Sequence, residues 1–412
     1  MLDTILSIVN HPDFWLYVSM PFTSAIVGWG TNVLAIKMMF YPIEFLGIPP
    51  FLGWQGIVPA KAIKMAKINV KMMTENLISV PEMFRNLDPA GMAKELEPLM
   101  ATMTEKILTE IMEEQSNTLW EALPQRAKDE IYKRVSKDSP EVIEQVLNEF
   151  TDNIDELFDL EKMVLDTLVR DKRLMVEMFL KVGEDEFKFI GNSGFYFGFL
   201  FGLIQTAIWI FYQAWWQLPL GGLLVGYLTN WLALKMIFEP LEPKKIGPWT
   251  WQGLFLKRQD AVAIEYSKLV TKEILNADNI IEAVVRGPAS DQLFEIISRN
   301  VKKAIDGYAG MAKPFVQMAV GTKGYITMKS RACDLIIAEV PRSLSLVTDY
   351  ATESLAIEKT LVEKMRELTP TQFEGLLRPA FQEDEWILIL VGAVLGLLVG
   401  LGQLFFMFGG VQ

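Results

Sequence analysis

The sequence predicts an all-α membrane protein: four transmembrane helices from a tandem, parallel repeat, each repeat carrying a large helical cytoplasmic domain. Three observations carry that expectation. Uncharged apolar stretches are long enough to cross a bilayer, a block of residues recurs 198 positions later, and every Lys and Arg is confined to two segments. A chain of 412 residues with 51% hydrophobic content suits membrane insertion. Its net charge of −12, with no long basic block, argues against a nucleic-acid partner. One cysteine, Cys333, and one histidine, His11, leave no set for a zinc site, a Cys/His nucleophile pair or a Ser-His-Asp triad, so no metal, cofactor or catalytic group is expected. Cys333 reads as a buried helix position, and His11, beside Pro12, as an interfacial residue.

The first apolar stretch predicts a transmembrane helix over 14–36 and the last predicts one over 386–408. Between them, Phe189 to Leu234 is 46 residues without Asp, Glu, Lys or Arg, too long for one crossing at about 1.5 Å per residue. It must fold back. The turn is placed in QAWWQLP, Gln213 to Pro219, giving helices over 189–212 and 216–236. The first stretch lacks a basic region before it and is followed directly by the recurring block, so it reads as a span and not as a cleaved leader.

All 39 Lys and Arg lie in Lys37–Lys188 and Lys235–Arg378. By the positive-inside rule both long segments, taken as helical domains over 41–187 and 239–385, are cytoplasmic. The protein is then a multi-pass protein of the cell (inner) membrane with both termini and the 213–219 turn outside.

Gly28–Glu44 (GWGTNVLAIKMMFYPIE) over Gly226–Glu242 (GYLTNWLALKMIFEPLE) gives ten identities in seventeen positions. The same offset aligns Pro21 with Pro219, and Gly198, Gly202 and Gln205 with Gly396, Gly400 and Gln403. With a slip of one, Trp54-Gln55-Gly56 matches Trp251-Gln252-Gly253, and Glu184-Asp185-Glu186-Phe187 matches Glu383-Asp384-Glu385-Trp386. An even number of crossings per copy implies a pseudo-twofold axis along the membrane normal. The TN-x-LA-x-KM-x-F-x-P-x-E block, the Gly/Trp-rich segment leading to VPAK and the Gly-x-x-x-Gly-x-x-Gln spans resemble the bacterial YheB-like membrane proteins, domain-of-unknown-function family 445. The resemblance implies a bacterial membrane protein and carries no activity with it.

In the soluble segments Ile143, Val146, Leu147, Phe150, Ile154, Leu157 and Phe158 recur at helical spacing, with Pro140 marking the start. Similar patterns run over 95–112 and 343–368, and no strand or hairpin pattern is evident. In 61–72, Lys61, Lys64, Lys67 and Lys71 fall on one face opposite Ala62, Ile63, Ala66 and Val70. That face reads either as a solvated side of a bundle helix or as a lipid-surface contact.

Within the spans the polar residues come in matched sets: Thr31, Asn32 and Lys37 against Thr229, Asn230 and Lys235, and Gln205 against Gln403. Two readings stand. The amides act as interhelical glue beside the glycine faces, with Lys37 and Lys235 snorkelling to headgroups, or they form a pseudo-symmetric polar binding site. The two Thr-Asn segments are expected to face each other across the pseudo-twofold axis. The leading expectation for function is a non-enzymatic scaffold engaging membrane lipids and a cytoplasmic protein, and the alternative is a transporter or lipid-handling protein. A four-span bundle is small enough that homo-oligomerisation in the membrane fits either.

Overall fold

The computed structural model describes residues 14–48, 52–310, 313–345, 348–378, 382, 384–407 and 409. His11 and the end of the last expected span at Phe408 lie outside them. The long helices, in chain order, are α1 (Phe14–Phe40), α2 (Ala62–Asn76), α3 (Pro89–Ala122), α4 (Gln125–Asp152), α5 (Glu184–Phe211), α6 (Gln217–Phe238), α7 (Ser290–Ala309), α8 (Lys313–Ser345) and α9 (Glu385–Gly402), which continues as a π-helical turn over Gln403–Met407. Shorter helices link them.

Among the described residues three helices are long and apolar enough to cross a membrane: Glu184–Phe211, Gln217–Phe238 and Glu385–Phe406. This corrects the expected four. The segment 14–36 lies within the continuous helix α1, yet Ser19, Thr23, Ser24, Thr31 and Asn32 dilute its apolar character. The strand-free expectation is also corrected. β1 (Leu46–Ile48) pairs antiparallel with β2 (Leu52–Trp54), and β3 (Lys244–Ile246) with β4 (Trp249–Trp251). Three residues are too few for an alternating pattern to register in sequence.

The chain divides into two compact units. The first gathers Met1–Met72, Leu168–Leu269 and Val362–Gln412. In it α1 packs along α5, α5 against α6, α6 along α9 and α9 against α1, a closed four-helix ring. One apolar cluster, Tyr17, Met20, Trp209, Leu218 and Leu404, draws on all four stretches of chain.

The second unit gathers Met73–Thr167 and Val270–Leu361, so stretches of both soluble segments build one body. Here α3 packs with α4, α4 with α7, α7 with α8 and α8 with α3. Met103, Ile107, Ile111 and Ala332 form its apolar seam. Arg331 pairs with Glu110 at 3.0 Å and Glu114 at 3.1 Å, and Lys106 with Glu339 at 2.9 Å. Cys333 is buried in α8, and burial pushes its thiol above the usual range.

Two helix boundaries differ from expectation. Pro140 does not start a helix but lies inside α4, and the Ser139 hydroxyl donates to the Ser136 carbonyl at 2.7 Å, the group that a proline amide leaves unbonded. The pattern over 343–368 is not one helix. α8 ends at Ser345, and Thr348–Leu355 and Ile357–Glu367 follow as separate helices on either side of Ala356, whose φ is 46°.

Candidate functional site: buried amides and crossed ion pairs

The matched polar residues occupy matched environments. The Asn32 side-chain amide donates to the Ile190 carbonyl on α5 at 2.6 Å, and that of Asn230 donates to the Leu388 carbonyl on α9 at 2.7 Å. Both bonds span 158 residues, and donor and acceptor alike are displaced by 198. The Thr31 hydroxyl donates to the Gly28 carbonyl at 3.1 Å and that of Thr229 to the Gly226 carbonyl at 3.4 Å. Glycine permits these approaches: a Cβ on Gly28 would overlap the Gly194 carbonyl oxygen, and one on Gly226 would overlap that of Gly392. Backbones this close bring a facing carbonyl within reach of an amide.

Asn32 and Asn230 each turn to a different helix, and no hydrogen bond joins them among the described residues. Their hydrogen bonds make two separate, equivalent contacts, α1 to α5 and α6 to α9. Each amide leaves its Oδ1 buried and without a hydrogen bond. Gln205 is also buried, with its Nε2 3.5 Å from the Leu218 carbonyl, and Gln217 donates to the Gln205 carbonyl at 3.1 Å. Gln403 is buried on the π-helical turn. Lys37 and Lys235 are exposed, the latter 3.6 Å from Glu239 and 5.0 Å above the Trp231 ring.

The lysine face of α2 divides. Lys64, Lys67 and Lys71 are exposed, whereas Lys61, just before α2, pairs with Asp384 at 2.7 Å. On the opposite side Ala62, Ala66 and Val70 are buried, but Ile63 is 52% exposed, because position 63 rotates out of the narrow apolar stripe.

Sequence reading assigned no role to Glu186, Arg258 and Asp384, which take part in two ion pairs of this unit. Arg258 pairs with Glu186 at 2.8 Å and with Asp185 at 2.8 Å. In sequence Lys61 corresponds to Arg258, and Asp185 to Asp384, within the one-residue slip already seen. The pairs are therefore crossed: a base after the first matched block meets the acid entering α9, and a base after the second meets the acid entering α5. The signal was present in the matched acidic runs, but nothing in sequence says which copy supplies the base. Glu186 Oε2 is buried without a hydrogen bond. Glu186 lines a cavity of ≈ 30 Å³ with Met39, Phe187, Ile190, Leu234 and Phe238 among its apolar walls. Among the described residues no group of three metal-ligating side chains occurs.

No family model matches the chain, and no solved structure matches it. Curated relatives do. A UPF0754 membrane protein of Synechococcus sp. is 20% identical over 444 aligned residues that cover 96% of this chain and all of that protein. A UPF0754 membrane protein of Exiguobacterium sibiricum is 35% identical over 86 residues, and one of Bacillus thuringiensis 40% over 63. These two matches span 22% and 16% of the respective relatives and 20% and 14% of this chain. The chain is thus a helical protein similar to bacterial membrane proteins, with three helices among the described residues apolar enough to span.

Proposed function

We propose that this protein is a membrane-anchored scaffold, a tandem duplication whose long helical segments present a cytoplasmic surface to a protein partner. The observation that carries this reading is the use of the span amides. Asn32 and Asn230 spend their donors on carbonyls of neighbouring helices at glycine-lined crossings, which makes them packing groups. α1 carries no Asp, Glu, Lys or Arg before Lys37 and contacts α5 as α6 contacts α9. Duplication is supported by the 198-residue displacement of these contacts, and orientation by the placement of Lys and Arg. The resemblance to the YheB-like proteins fits this description without adding an activity. The test is in-cell crosslinking of the full chain followed by purification in mild detergent. Recovery of a reproducible cytoplasmic partner is expected, and recovery of only lipid and self-associated chain overturns the scaffold.

A second reading, transport or lipid handling at the repeat interface, is favoured by one observation. The buried, uncommitted oxygens of Asn32, Asn230 and Gln205 are acceptors that a ligand would satisfy. Flux or lipid transfer by reconstituted protein, unaltered by Asn32→Ala plus Asn230→Ala, would count against it.

A further inference from the structure

We infer that the two β-hairpins are membrane-interface anchors that lie in the headgroup layer of the bilayer the protein spans; this rests on the membrane-spanning reading above. Each hairpin follows a helix that ends in the Lys-Met-x-Phe sequence, and each is closed at its base just past that helix end. The Gly56 amide donates to the Pro42 carbonyl at 2.9 Å, and the Gln55 side chain donates to the Ile43 carbonyl at 2.7 Å. The second hairpin repeats both bonds, from Gly253 to Pro240 at 3.0 Å and from Gln252 to Leu241 at 3.2 Å. The returning strand passes so near the helix that a Cβ on Gly56 would lie 2.7 Å from the Phe40 carbonyl carbon, and one on Gly253 2.7 Å from the Ile237 carbonyl oxygen.

Such clamps fix depth. A three-residue strand is about 10 Å long. The headgroup region adds roughly 5–8 Å beyond each side of the hydrocarbon core. A hairpin closed at its base two to three residues past a helix end, with its returning strand packed against that end, therefore stays at or near headgroup depth whichever way it leans.

Its exposed side chains have the matching chemistry. Leu46 is 72% and Ile48 71% exposed, with Phe45 exposed beside them. On the second hairpin Lys244 and Lys245 are exposed and Trp251 is largely so. Apolar and aromatic groups beside lysines suit the boundary between acyl chains and anionic headgroups. On α6, which leads into the second hairpin, Leu224, Tyr227 and Trp231 are likewise exposed.

The test places an environment-sensitive nitrobenzoxadiazole label on cysteine at Leu46, Ile48 or Leu398 in the full Cys333→Ser chain. The labelled protein is held in nanodiscs of phosphatidylcholine and phosphatidylglycerol with or without lipid bearing a shallow doxyl quencher. Leu398, exposed on α9, reports insertion itself. The expected result is quenching at 46 and 48 at least about twofold above that of free labelled cysteine, with further quenching when the anionic fraction rises. Quenching at 398 with none at 46 or 48 overturns the anchor and leaves spanning intact, as would be seen if a protein partner covered the hairpins instead. No quenching at any of the three positions overturns both.

Discussion

Arg258 holds Glu186 at 2.8 Å across the two matched halves of the chain, and Lys61 holds Asp384 at 2.7 Å in the reciprocal sense. The Glu186 side chain is 5% exposed, so its charge depends on the guanidinium for compensation. Arg258→Ala should therefore destabilise the full chain by about 2 kcal/mol, less than a fully buried pair because the arginine is partly solvated. Adding Glu186→Gln to Arg258→Ala should recover much of the loss. Thermal unfolding in detergent checks both, and an unchanged midpoint for Arg258→Ala would show that the pair contributes nothing.

The helical glycines give a contrast between a crowded and an open position. A Cβ at Gly226 would overlap the Gly392 carbonyl, whereas one at Gly30 meets nothing within 4 Å. Gly226→Ala should cost about 1–3 kcal/mol through forced backbone separation. Gly30→Ala should be neutral or slightly stabilising. Equal effects in an unfolding assay would contradict the packing described.

Proximity of α1 and α5 predicts a specific crosslink. A Cβ on Gly191 would lie 3.3 Å from a methyl of Val33. On a Cys333→Ser background, cysteines at 33 and 191 should form a disulfide under mild oxidation. Cysteines at 32 and 230 should react less readily, since their amides turn to different helices. The reverse ranking would restore the face-to-face arrangement expected from sequence.

In the second unit Tyr325 is buried and donates to Asp306 at 2.9 Å, while Lys329 reaches the same carboxylate at 2.6 Å. Burial first, and the Asp306 contact second, push the phenol up to about 12. Above the ordinary tyrosine value near 10 the unfolded chain loses this proton before the folded one does. The associated stability is thus complete below about pH 10 and declines as pH rises toward 12. Tyr325→Phe should flatten that decline in unfolding measured across alkaline pH; an identical slope would remove the assignment.

Orientation has its own test. With Cys333→Ser, cysteine at Gln213 should react with an impermeant thiol reagent on intact cells, whereas cysteine at Glu141 or Glu358 should react only after permeabilisation. All three side chains are exposed, so burial would not explain silence. The opposite pattern would invert the topology.

Local pattern determined a good deal here. Apolar runs between charged segments placed the long helices, because a helix in hydrocarbon must be continuous and uncharged. The TN-x-LA-x-KM blocks showed that Asn32 and Asn230 would share an environment, since like sequences on like helices meet like neighbours. Tertiary structure alone decided what those neighbours are. An amide in a span requires some acceptor, but only the crossing of α1 over α5 at Gly28 and Gly194 selects the Ile190 carbonyl. The hairpins were illegible because their register is set by clamps to a helix end, not by alternation. The crossed ion pairs were illegible for a related reason. Matched sequences say that Lys61 and Arg258 are equivalent, but whether each base meets the acid of its own half or of the other depends on packing the two halves together. Separately, Met73–Thr167 and Val270–Leu361 form one body because α3 and α4 pack against α8 and α7 from the other half of the chain.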